Sequence, residues 1–204
     1  MKKISALLVA IIAAGCAVSP SGPSPLSEQE LSIIMDSDSL MKVFRVDVPE
    51  DSIILRNVSV DFSDADLQSE AFATLAAKMV YTVTDPSQDG VGIAGPQVGL
   101  NRRVVAVQRF DKPGNPFEVY PNARLDSLWG EMTHRSEGCL SVPGKGGVVP
   151  RYSKVLVSWK DVETLETVRD TVKGFTAIIF QHEIDHLEGT IYTDKADSVY
   201  TRIR

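Results

Sequence analysis

The sequence predicts an α+β domain. Two long segments place apolar residues at helical spacing, several short runs are rich in valine and other strand formers, and the two kinds of segment do not alternate in the βαβ order of a parallel sheet. With 204 residues, 43% of them apolar, the chain can bury one core of ordinary domain size and still leave a short segment outside it.

Taken in order, the chain opens with Lys2 and Lys3, an apolar run from Ile4 to Ala14 broken only by Ser5, and then Gly15 and Cys16. A run this short cannot span a bilayer as a finished helix, but its basic start and small-residue end are those of a secretory signal. A buried N-terminal helix would show a polar face, and this run has none. Residues 1–16 resemble a bacterial lipoprotein signal with Ala13-Ala14-Gly15-Cys16 as the acylation box. The resemblance implies that Cys16 becomes the lipidated N-terminus of the mature chain. Ser19 to Ser27 is rich in Ser, Pro and Gly, a composition that stays extended. Residues 17–41 are therefore read as a linker, with a short helix around Glu28 to Met35, and residues 42–204 as the domain proper.

Ser63 followed by Asp66 makes a capping box, and Leu67, Ala71, Phe72, Leu75 and Met79 recur at helical spacing. Together they predict one amphipathic helix over about 64–83 whose apolar stripe is core. Asp85-Pro86 and Gly90 end it. Arg103 to Gln108, Val155 to Trp159 and Thr167 to Val172 read as strands. Phe175 to Leu187 has the length of a helix and no internal Gly or Pro, with Gly189 placed to close it.

A net charge of -6 leaves no basic field for a phosphate backbone, and no stretch joins clustered Lys/Arg to stacking aromatics, so no nucleic-acid partner is expected. The only two cysteines, Cys16 and Cys139, each sit in a motif of their own. No disulfide framework is available, and the fold must rest on its core.

His182-Glu183-Ile184-Asp185-His186 carries the chemistry. On a helix, residues i and i+4 share a face, so both imidazoles can bind one metal ion. Glu183 lies beside them, suited to take a proton from water at such an ion. A solvated face with two surface histidines is the plain alternative, and the apolar lead-in Ala177-Ile178-Ile179-Phe180 argues against it. A catalytic site needs a third protein ligand. The long zinc-protease pattern HExxHxxGxxH keeps its glycine as Gly189 but has Tyr192 where the third histidine belongs, which leaves His134 and Cys139 as candidates.

Glu137-Gly138-Cys139-Leu140-Ser141 and the earlier Gly90-Val91-Gly92-Ile93-Ala94-Gly95-Pro96-Gln97 supply the rest. With HExxH they resemble the three motifs of the peptide deformylases, approximately GxGLAAxQ, EGCLS and HExDH, in the same order, and the likeness spans about Val43 to Lys195. It implies antiparallel sheets around a central HExxH helix. It also implies hydrolysis of the N-formyl group from N-formylmethionyl peptides, with release of formate. The family's ligand set maps to Cys139, His182 and His186, holding one divalent ion, iron(II) first and zinc, nickel or cobalt as alternatives. Glu183 maps to the general acid/base, and Gln97 with the backbone N–H of Leu140 to the donors that hold the substrate oxygen as it gains charge. Gly92 maps to a backbone contact with substrate, Val91, Phe175 and Ile179 to the methionine pocket, and Glu137 with Arg151 to a pair that braces the ligand segment.

Two departures stand out. Ala94-Gly95-Pro96 precedes Gln97 where the family has Ala-Ala-Xaa, and proline fixes φ and removes an N–H in that loop. The export signal places the chain outside the cytoplasm, held to a membrane through its lipid anchor alone, away from nascent chains on the ribosome; a cytoplasmic enzyme is the alternative. Two rival functions are a metalloprotease-like enzyme and a non-catalytic lipoprotein that captures peptides.

Overall fold

The structure is a computed structural model that describes residues 23–202. The expected signal over 1–16, Cys16 included, and the first part of the expected linker lie outside the described residues.

Part of the rest of the expected linker packs on the domain, while residues 35–40 are exposed. Ser27 caps helix α1 (Glu28–Ile34) in a capping box with Glu30. Ile34 is fully buried and Leu26 packs on the same cluster. Arg102 holds the segment down by donating to the carbonyls of Ser24 and Pro25 and to the carboxylate of Glu30. A buried guanidinium needs acceptors, and this segment supplies them. Packing therefore reaches back to Ser24, ahead of the expected start at Lys42.

Helix α2 (Pro49–Leu55) starts on a proline, whose fixed φ suits a first turn. The single helix expected over 64–83 is two. The Ser63 capping box is present and opens α3 (Asp64–Leu67), after which Ser69 caps a new helix, α4 (Glu70–Thr84), by accepting from the Phe72 N–H. The Ser69 hydroxyl also donates to the Asp66 carbonyl. This short polar side chain competes with the helical backbone and so divides the apolar stripe.

Strands β1 (Gly92–Ala94), β2 (Val104–Gln108) and β3 (Phe117–Pro121) form an antiparallel sheet in that order. Its middle strand is covered on both faces. Val104 and Ala106 meet Leu75, Met79 and Val83 of α4, while Val105 and Val107 turn to the other core, the alternation of a strand resolved into two buried sides.

The second sheet is a long hairpin of β4 (Arg124–Cys139) and β5 (Val142–Lys160), with β6 (Thr167–Lys173) pairing along β5 and a short strand β7 (Ser198–Thr201) pairing at the other end of β5. Helix α5 (Gly174–Leu187) packs against strands of both sheets. Its Ala177, Ile179, Phe180, Ile184 and Leu187 share one cluster with Val105 and Val107 of the first sheet and Val155, Val157 and Val172 of the second. Apolar burial on nearly every side fixes this helix in depth and rotation, and through it the polar residues it carries.

Candidate active site

Three side chains meet where the end of β4 faces α5. The Sγ of Cys139 lies 3.2 Å from Nε2 of His186. With His182, these residues offer ligand atoms that all fall within 4.8 Å of one another. Their chemistry fits a divalent metal. The Nδ1 of His182 is taken up by Glu137 at 2.8 Å, so Nε2 is its remaining ligand atom, the arrangement usual for a metal-bound imidazole. Burial opposes charge on His182, yet Cys139 and Glu137 beside it raise its pKa well above the ordinary histidine value. A bound cation would answer the same field. Burial, with the neighbouring His182, depresses His186 well below that value and keeps it the neutral donor a metal needs.

Of the two candidates for a third ligand, the geometry brings Cys139 to the histidines and leaves His134 out. His134 is exposed and pairs with Asp197 at 2.6 Å. Tyr192, which stands at the zinc-protease position for a third histidine, is buried and stacks on the His182 ring with 5.9 Å between centroids.

Glu137 and Arg151 are buried and joined by two hydrogen bonds of 2.8 and 3.0 Å, so theirs is no surface ion pair. Arg151 also reaches Asp185 at 2.6 Å, and Lys195 meets Asp185 from the other side at 2.5 Å. Asp185 escaped the reading of the motif, although its place three residues after His182 on a helix puts it near the same face. Burial tends to raise the Glu137 carboxyl, but His182 and Arg151 outweigh it and hold the pKa at about 2, below the ordinary 4.5. The resulting stability is therefore present above pH 4.5 and is lost as pH falls from there toward 2. Glu137→Ala should destabilise the fold by about 3–5 kcal/mol, because it strips a partner from a buried arginine. It should also weaken metal binding by roughly 10- to 100-fold, through loss of the His182 bond. Denaturant unfolding and metal titration check the two parts, and a shift below about 1 kcal/mol would contradict burial of the pair.

Glu183 projects from α5 onto the backbone of Gly92, so closely that a Cβ on residue 92 would fall 2.5 Å from Oε1. Only glycine allows this approach. The carboxyl is buried, its Oε2 has no hydrogen-bond partner, and burial pushes its pKa up to about 7. That value lies in the range where a general base works at neutral pH.

Pro96 does not displace Gln97. The tripeptide after Ala94 enters a 3-10 turn (Gly95–Val98), where a proline in the first turn gives up no needed N–H. The Gln97 Oε1 accepts from the Ala94 N–H at 2.9 Å, and Nε2 then points to Ser141 Oγ at 3.2 Å and Cys139 Sγ at 3.5 Å. Ser141 is a further site residue that sequence reasoning passed over. Leu140 sits in the turn between β4 and β5. Gln97, Cys139, Leu140, His182 and Glu183 open on one cavity of about 1360 Å³, more than a single small molecule needs. Val91, Gly92, Gln97, Leu140, Phe175, Ile179, His182 and Glu183 line it, with Ile179 buried and Phe175 exposed at its rim.

The sequence pattern of the family described as polypeptide deformylase matches residues 41–202. The chain belongs to the peptide deformylase family. A peptide deformylase of Leptospira biflexa is 34% identical over 167 residues, covering 78% of this chain and 89% of that protein. One from Desulforudis audaxviator is 41% identical over 128 residues, covering 63% and 79%. Among solved structures, the class I type b peptide deformylase from Acinetobacter baumannii with Met-Ala-Ser bound superposes with a TM-score of 0.67 at 33% identity, over 76% of this chain and 98% of that one. As a deformylase the chain is a hydrolase, and its α+β fold of antiparallel sheets with few helices is that of the family. The deformylase match reaches Arg202, beyond Lys195, and so takes in strand β7 of the second sheet.

Proposed function

We propose that this deformylase removes the formyl group from N-formylmethionyl peptides, with iron(II) held by Cys139, His182 and His186, and that it works outside the cytoplasm on a lipid anchor at Cys16. The cluster of one thiol and two imidazoles beside a buried, partnerless carboxylate carries the catalytic reading. A thiolate with two imidazoles suits iron(II) or zinc, and a divalent ion there lowers the pKa of water and polarises a carbonyl.

Glu183 takes the proton of the attacking water and returns it to the departing amine. Oxygen adds to the formyl carbon, the carbon–nitrogen bond breaks, and formate and a free amino terminus leave. Gln97 Nε2 and the Leu140 N–H hold the carbonyl oxygen while it carries charge. Gly92 aligns the substrate backbone, and Val91, Phe175 and Ile179 receive the methionine side chain. Protein purified without oxygen and loaded with iron should release formate from formyl-Met peptides and leave unblocked peptides intact. Formate release from none of them would end this reading, and cleavage of internal bonds would favour the protease.

The location rests on the sequence of residues 1–27. Two or three acyl chains at roughly 0.8 kcal/mol per buried CH₂ suffice for stable anchoring. The wild type should therefore fractionate with membranes in processed form, and Cys16→Ser should block lipid attachment and processing. An unprocessed, lipid-free wild type in the cytosol would overturn the export reading while leaving the catalysis untouched.

A further inference from the structure

The mouth of the cavity carries cations that the chemistry above does not use. Arg135, Lys145 and Arg202 all line it, and among the described residues none of the three forms an ion pair. Arg45, a fourth cation of the lining, is occupied by Asp47. Of the acidic residues there, Glu137 is neutralised by Arg151, Glu183 is buried on Gly92, and Asp89 alone is exposed. A chain of net charge -6 thus presents a locally positive entrance.

Of the three, Arg202 lies against the ligand segment. Strand β7 leads to it, pairing Ser198 with Val148 and Thr201 with Lys145. The Arg202 N–H donates to the Gly144 carbonyl at 2.9 Å, and the Tyr200 hydroxyl bonds to Ser136 of β4. The guanidinium then lies over two positions that have no side chain. A Cβ on Gly138 would collide with it, and a Cβ on Gly146 would come within 2.9 Å of its Nε. Gly138 immediately precedes Cys139. A planar cation thus lies against the residue before Cys139 and lines the same cavity as the ligand cluster, with its fork available to a carboxylate.

We infer that Arg202 is a specificity-determining residue that receives a substrate carboxylate, so that the preferred substrates are short formylated peptides with a carboxylate a few residues beyond the formylmethionine. The inference rests on the deformylase reading above. An extended peptide advances roughly 3.3 Å per residue, so a carboxylate two or three residues past the formyl carbon still lies inside the cavity that Arg202 and the ligand cluster both line. An α-carboxylate and an acidic side chain offer the same chemistry. Arg135 and Lys145 add to the field at the entrance.

Three iron-loaded assays separate the cases: formyl-Met-Ala-Ser as the free acid, the same peptide as its C-terminal amide, and formyl-Met-Ala-Asp amide. The free acid should exceed the Ser amide in kcat/KM by roughly three- to tenfold, mostly through KM, with the gap narrowing as salt is raised. A gain for the Asp amide equal to that of the free acid assigns the preference to any carboxylate, and no gain restricts it to the chain terminus. Arg202→Gln should bring the acid-to-amide ratio near one, Arg202→Lys should keep part of it, and Lys160→Gln, a cation paired with Asp64 away from the cavity, should leave it in place. Calorimetric binding of Met-Ala-Ser acid against its amide gives the same comparison without turnover. Preferential binding of the acid with no formate release sinks the deformylase reading and with it the substrate assignment, leaving only carboxylate capture by Arg202, whereas equal handling of acid and amide by the wild type, or an undiminished ratio in Arg202→Gln, overturns that capture itself.

Discussion

Replacing Glu183 by alanine should leave the metal complement intact while formate release falls by about two to four orders of magnitude, the range expected when a general base is lost. Glu183 is not one of the three clustered donors, so the ion keeps its ligands. What disappears is, among the described residues, the one buried carboxylate oxygen with no partner, on a group whose pKa burial has brought to about 7. A carboxyl kept there unpaired is a cost to the fold, and its removal should leave thermal stability unchanged or raised. Glu183→Gln sharpens the test, since it keeps the shape against Gly92 and loses only the proton acceptor. Turnover at the wild-type rate in either variant would refute the mechanism, and a fall in rate matched by a fall in melting temperature would recast Glu183 as structural.

The sequence made the site more legible than the fold around it. His182 and His186 could be paired within one motif because a helical i, i+4 pair obeys a strict local rule, and the resemblance to the deformylase motifs then supplied Cys139. Helix α5 and strand β2 were readable from apolar runs, since each is buried over most of its length. Strand β4 was not. Its sixteen residues from Arg124 to Cys139 are largely exposed and polar, and they are held by hydrogen bonds to β5 that no side-chain period announces. The division of α3 from α4 turned on one serine hydroxyl, and the docking of residues 24–41 on acceptors for Arg102, a residue more than sixty positions away. Composition marked that segment as linker because Ser and Pro bury little apolar surface. It is held by the carbonyls of Ser24 and Pro25, the carboxylate of Glu30 and the burial of Ile34.

Cys139→Ser should abolish most metal binding, the largest single effect expected at this site. Loss of a group that merely orients a ligand costs roughly 10- to 100-fold in affinity, and loss of the ligand itself should exceed that. A neutral hydroxyl is a poor donor for a borderline-soft ion that the thiolate suits well. Serine is close in size, and its hydroxyl can still meet His186 and Gln97, which now lie 3.2 and 3.5 Å from Sγ, so the β4 end should keep its place and the folded state its stability. The variant therefore separates ligation from architecture. Metal analysis after anaerobic loading should find it nearly empty beside a fully loaded wild type, with unchanged circular dichroism. Full occupancy in Cys139→Ser would remove the thiol from the ligand set, and because His134 is exposed and bound to Asp197, no other histidine among the described residues stands ready to replace it.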